Sequence, residues 1–97
     1  MEKLPNIHPG EVLSEEFLKP LGITAYKLSK ELGIPQTRVS EILKKKRRIT
    51  ADTALRLGQY FGVSPKFWLG IQNDYDLEEE EKSKAQEIAA IEKFVIV

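Results

Sequence analysis

Gln36, Thr37, Arg38 and Glu41 fall within two turns of a helical stretch, and five bases, Lys44, Lys45, Lys46, Arg47 and Arg48, follow directly. The two groups suit different tasks. A Gln amide can bond adenine through two hydrogen bonds and an Arg guanidinium can do the same with guanine. A Thr methyl packs on thymine, and a Glu carboxylate accepts from cytosine. A run of Lys and Arg neutralises phosphates instead, which adds affinity and salt dependence without reading sequence. Ser40 and Lys27 join the basic run as candidate phosphate contacts, with Lys30 a weaker one. The same side chains also fit an ordinary solvated helix face followed by a solvated basic loop. The elements that hold them decide between these readings.

Apolar residues recur at helical spacing in five stretches, and the chain reads as all-α. Pro9 opens the first helix, with Glu11, Glu15 and Glu16 toward its positive end and Val12, Leu13, Phe17 and Leu18 as its buried stripe; Pro20 and Gly22 end it. Thr24 is an N-cap for the second, which buries Leu28 and Leu32 and stops at Gly33, where a left-handed backbone suits glycine. Ile34-Pro35 redirects the chain into a third helix over roughly 36–44, burying Val39, Ile42 and Leu43 and exposing the polar set. Thr50 caps a fourth, with Ala54, Leu55, Leu57, Tyr60 and Phe61 expected inside, and Gly62 closes it. Ser64-Pro65 starts a fifth, on which Trp68, Ile71 and Tyr75 share a face. Two short helices around a Gly turn, the second polar outside and followed by bases, form a helix-turn-helix whose third helix enters a major groove. Small Ser29, four residues before Gly33, permits the close helix approach.

Charge divides the chain of 97 residues. Residues 1–73 hold twelve bases and seven acids, a net of +5, whereas 74–97 hold three bases and eight acids, a net of −5. A polyanion-binding domain over 1–77 and an acidic, then apolar, extension over 78–97 are expected. Pairs such as Glu80 with Lys84 favour a continuing solvated helix through Ile88 and Ile91. Ile88 and Ile91, with Phe94, Val95, Ile96 and Val97 as a short terminal strand, are the candidate self-contact of a homodimer.

Other chemistries find little material. With one His and no Cys, neither a nucleophile–base pair nor a metal-ligand set has its usual spacing, so no enzyme, metal or cofactor is expected, and His8 reads as a helix-entry residue. An unspecific RNA-binding module lacks an evident aromatic platform. No apolar run approaches the roughly 20 residues of a membrane span, and the first residues lack a secretory apolar core, so a cytoplasmic protein without membrane contact is expected.

Three blocks carry a closer likeness: His8-Pro9-Gly10-Glu11-Val12-Leu13; Ile49-Thr50-Ala51-Asp52-Thr53-Ala54-Leu55-Arg56-Leu57; and Ser64-Pro65-Lys66-Phe67-Trp68-Leu69 running into Gln72-Asn73 and Tyr75-Asp76-Leu77. In that order they resemble HigA-type antitoxins, also known as virulence-associated protein I, within the XRE/lambda-repressor-like helix-turn-helix class. Ser29 departs from the Ala that such motifs often carry. The resemblance implies a five-helix domain, a homodimer on palindromic double-stranded operator DNA, autorepression, and neutralisation of a HigB-like mRNA endonuclease toxin encoded beside it. A stand-alone helix-turn-helix regulator without a toxin partner is the alternative.

Overall fold

The computed structural model describes residues 6–96, which form five helices and, among the described residues, no strand. The first helix, α1, is one continuous run: α-helical over Pro9–Val12, wound as a π-helix over Leu13–Leu18, and α-helical again over Lys19–Leu21. It passes through Pro20 and ends at Gly22, whose φ of 66° is the left-handed stop expected of glycine. The others are α2 (Ala25–Leu32), α3 (Gln36–Leu43), α4 (Ala51–Phe61) and α5 (Pro65–Ala89).

Leu13, Leu28, Val39, Ile42, Ile49, Leu57 and Trp68 are wholly buried, so α1–α4 and the start of α5 share one core. Phe17 of α1 stacks at a tilt on Trp68, ring centres 5.0 Å apart, and on Phe61 at 4.8 Å. Two glycines mark where backbones meet. A Cβ on Gly10 would lie 1.9 Å from the Ile42 carbonyl oxygen, so only glycine lets α1 cross the end of α3 this closely; one on Gly58 would lie 2.5 Å from the Val63 carbonyl.

Two expected caps form: Thr24 Oγ1 accepts from Lys27 N at 3.0 Å and Ser64 Oγ from Lys66 N at 3.2 Å. Thr50 occupies the N-cap of α4, but its hydroxyl accepts no capping bond. Leu55 also differs from expectation, being 60% exposed. The inward stripe of α4 runs through Ala54, Leu57, Gly58 and Phe61, and Leu55, one residue past its start, turns about 100° out of it.

Beyond Asp76, α5 leaves the core and projects as a lone helix to Ala89, with non-helical angles at Lys84 (φ −122°, ψ 21°) and Glu80 Oε2 paired to Lys84 Nζ at 2.9 Å. It ends before Ile91. The expected terminal strand does not form: Phe94, Val95 and Ile96 are exposed and irregular, and a strand has no ladder partner within one chain. Val97 lies outside the described residues.

Candidate nucleic-acid interface

The α2–turn–α3 unit is built from local signals. Gly33, at φ 68°, donates its N–H to the Lys30 carbonyl, and Ile34 N–H returns to Ser29 O at 3.1 Å, closing the end of α2. Ser29 is buried, its hydroxyl donating to Tyr26 O at 2.7 Å. Gln36 and Thr37 stand exposed on the first turn of α3, as an edge-reading role requires. Ser40 and Glu41 are half-buried one turn on.

Arg38 is tethered. Its Nη1 donates to Asp52 Oδ2 of α4 at 2.9 Å and only 28% of its side chain is exposed. Asp52 also receives Arg56 Nε on both oxygens at 3.1 Å, and Arg56 Nη1 donates to the Leu32 carbonyl at 2.8 Å. The bond from Arg56, opposed by desolvation and reinforced by Arg38, holds the Asp52 carboxyl below the usual carboxylate range. Asp52 of α4 thus joins α3 directly and α2 through Arg56.

The basic loop fans outward from a turn in which Lys45 takes a left-handed φ of 64° and Lys46 N–H closes back on Glu41 O at 2.8 Å. Lys45 Nζ lies 3.9 Å from Glu11, Arg47 Nη2 3.2 Å from Glu41 and Arg48 Nη2 2.7 Å from Asp76. Lys44 and Lys46 are exposed and have no acidic partner among the described residues. On α2, Lys27 is exposed and Lys30 Nζ sits 5.3 Å from the centre of the Tyr26 ring. Arg38, Arg47 and Arg48, with Thr50, Asp52 and Thr53, border an open cleft of about 350 Å³.

Behind the loop lies a polar relay that the spacing of apolar residues does not reveal. Gln72, fully buried, accepts the N–H of Ile49 at 2.7 Å and donates to Asp76 Oδ1 at 2.9 Å, while Asp76 Oδ2 holds Arg48. Burial opposes ionisation of Asp76, but bonds from Arg48 and Gln72 outweigh it and lower its pKa. His8 completes this end: its Nδ1 accepts Gly10 N–H at 2.9 Å, capping α1, and its ring meets Tyr75 edge-on at 4.8 Å. Burial, aided by Lys45 and opposed by Asp76, lowers its pKa. One signal in the sequence could have found Gln72, which the apolar spacing passes over: a polar residue four after Trp68, on a stripe that is otherwise core.

The Ile88, Ile91, Phe94, Val95 and Ile96 side chains are all exposed and make no part of this surface. No helix among the described residues is long and apolar enough to cross a membrane.

The helix-turn-helix family model matches residues 15–68, which span α2, α3 and α4. Virulence-associated protein I of Dichelobacter nodosus is 50% identical over 82 residues, covering 84% of this chain and 76% of that protein. The solved structure of an addiction module antidote protein of the HigA family from Coxiella burnetii superposes with a TM-score of 0.88 at 42% identity, covering 94% of this chain and all of that one. The Pseudomonas aeruginosa antitoxin HigA, solved with the higBA promoter, superposes with a TM-score of 0.90 at 36% identity, again over 94% of this chain and all of that one. The blocks around His8, Asp52 and Trp68 carry the cap of α1, the arginine tether and part of the core here, and the chain belongs to the helix-turn-helix family, among the HigA antitoxins and virulence-associated protein I.

Proposed function

We propose that this protein is an operator-binding antitoxin: it binds its own promoter as a homodimer, represses transcription, and neutralises a HigB-like mRNA endonuclease encoded beside it. The observation that carries the DNA half is α3, whose first turn exposes Gln36 and Thr37 beside the tethered Arg38 and whose end releases the five bases of the loop. Gln36, Thr37, Arg38 and Glu41 read bases; Lys27, Ser40 and Lys44 through Arg48 meet phosphates. The P. aeruginosa HigA solved with the higBA promoter supports the same use of the fold here. Residues 1–77 supply the DNA-binding unit and 78–97 the self-contact, and two-fold symmetry sets paired half-sites about 34–36 Å apart on an inverted repeat. The relatives' names support the antitoxin half.

Co-expression with the adjacent small open reading frame tests this function. Growth rescue together with a stoichiometric complex is expected; absence of both removes the antitoxin role. Footprinting on the promoter tests the repressor role separately.

A further inference from the structure

We infer that Asp52 and Arg56 are specificity-determining residues that act through Arg38: together they fix the guanidinium from which a base is read. This rests on the operator-binding reading above and deepens it.

An arginine on a helix surface has many rotamers, and a reader that samples them discriminates poorly. Here the freedom is removed from behind. Arg38 gives one N–H to Asp52 at 2.9 Å, which leaves others of its five donors for a base. Asp52 is itself immobilised, since both of its oxygens face Arg56 Nε, and Arg56 is anchored on the Leu32 carbonyl at the end of α2. The reader on α3 is therefore referenced to α4 directly and to α2 through Arg56. The Asp52 anchor is charged at neutral pH, and the bond from Arg56 extends that charge to more acidic pH than an ordinary carboxylate keeps it.

The arrangement has an electrostatic cost that separates it from plain scaffolding. Asp52 is a carboxylate with 54% of its side chain exposed, bordering the same cleft as Arg38, Arg47 and Arg48. A negative charge there repels a phosphate backbone, which penalises all duplexes alike. Keeping Asp52 weakens unspecific binding while sharpening the choice at one base position.

The test uses the full-length protein and a promoter-duplex set in which every position is varied singly. Arg38→Ala first identifies the position that Arg38 reads. Asp52→Asn is then expected to relax preference at that position by about fivefold, to leave or tighten affinity for unspecific duplex, and to relax the preference no further in the Arg38→Ala background. Asp52→Glu, which keeps the carboxylate, is expected to restore part of the preference. Arg56→Gln, which loosens the anchor while leaving the charge opposite Arg38, is expected to relax the same position by less. It serves as the second variant should Asp52→Asn unfold. Uniform weakening across all sequences, or unchanged preference in the folded variants, overturns the inference while the operator reading stands. If the native protein shows no preference for its own promoter, the operator reading fails before any substitution is made and takes this inference with it.

Discussion

The amide of Gln72 on α5 accepts the main-chain N–H of Ile49, 23 residues earlier, at 2.7 Å in a site with no solvent access. That bond fixes the point where the basic loop ends and α4 is about to begin, and the other end of the same amide steadies Asp76 and, through it, Arg48. Gln72→Leu keeps comparable bulk but leaves the Ile49 N–H buried without a partner, which costs about 1–3 kcal/mol. Urea denaturation is expected to show that loss. Asp76→Asn, which removes the charge at the half-buried end of the relay but keeps an oxygen acceptor, is expected to cost less than about 1 kcal/mol.

Glycine substitutions offer a contrast within one protein. Gly10→Ala drives a methyl into the Ile42 carbonyl and forces α1 away from α3, a destabilisation of about 1–3 kcal/mol or more. At Gly70, an exposed position inside α5, a Cβ meets nothing within 4 Å, so Gly70→Ala is expected to stabilise by about 0.5–1 kcal/mol through helix propensity. Thermal melts of the two variants should move in opposite directions.

What could be read from the chain alone follows the distance over which each contact acts. The α2–turn–α3 unit was legible because Thr24, Ser29 and Gly33 work within a few residues of one another, and α5 because Ser64-Pro65 announces its own start. The tether of Arg38 joins residues 14 apart and the Gln72 bond residues 23 apart, and nothing in helical periodicity pairs them. Arg38 reads as a free base-contacting side chain until Asp52 is seen beside it. Thr50 has an N-capping residue type, yet its hydroxyl accepts no capping bond, and the entry to α4 is held by the Ile49 N–H on Gln72, a contact that no local capping signal announces. Phe94, Val95 and Ile96 have strand-forming side chains, but β-propensity reports fitness for a sheet and supplies no neighbouring strand.

His8 makes the start of α1 sensitive to acid. Its pKa is lowered in the fold, so the unfolded chain binds the proton more readily. The stabilisation from neutral His8 is complete above about pH 6.5 and is lost as pH falls from there toward the folded value. Protonation also converts the Nδ1 acceptor into a donor facing the Gly10 N–H. His8→Asn retains a side-chain acceptor at the N-cap and cannot titrate. Stability measured between pH 7.5 and 5 is expected to fall for the native protein and to lose this component of the slope in the variant.

The loop cations should divide by their partners. Lys46 is exposed without an acidic partner among the described residues, so a phosphate gains its full charge; Lys46→Ala is expected to weaken every duplex and to reduce the slope of log affinity against log salt by about one. Arg47 must share its charge with Glu41 at 3.2 Å, so Arg47→Ala is expected to change the slope less. Titrations across a salt series on one promoter duplex measure both, and equal slopes would mean that the Glu41 pair dissolves on binding.

The exposed apolar end of the chain bears on self-association. Phe94 and Ile96 are 83% and 88% exposed and Ile91 lies on the same segment just past α5, whereas the core of residues 8–72 is closed without them. Exposed apolar side chains of this kind are stabilised by covering them, and a second copy brings an identical segment in two-fold register, with strand pairing now possible because a partner edge exists. The triple variant Ile91→Ser, Phe94→Ser, Ile96→Ser leaves the acidic helix and the helix-turn-helix intact. Light scattering is expected to show a dimer for the native chain and a monomer for the variant, with unchanged helical circular dichroism and a half-site affinity close to that of one native subunit. A variant that remains dimeric would move the self-contact to the folded domain, where Leu32, Leu55 and Tyr60 border an open groove together with Glu31, Arg56 and Gln59.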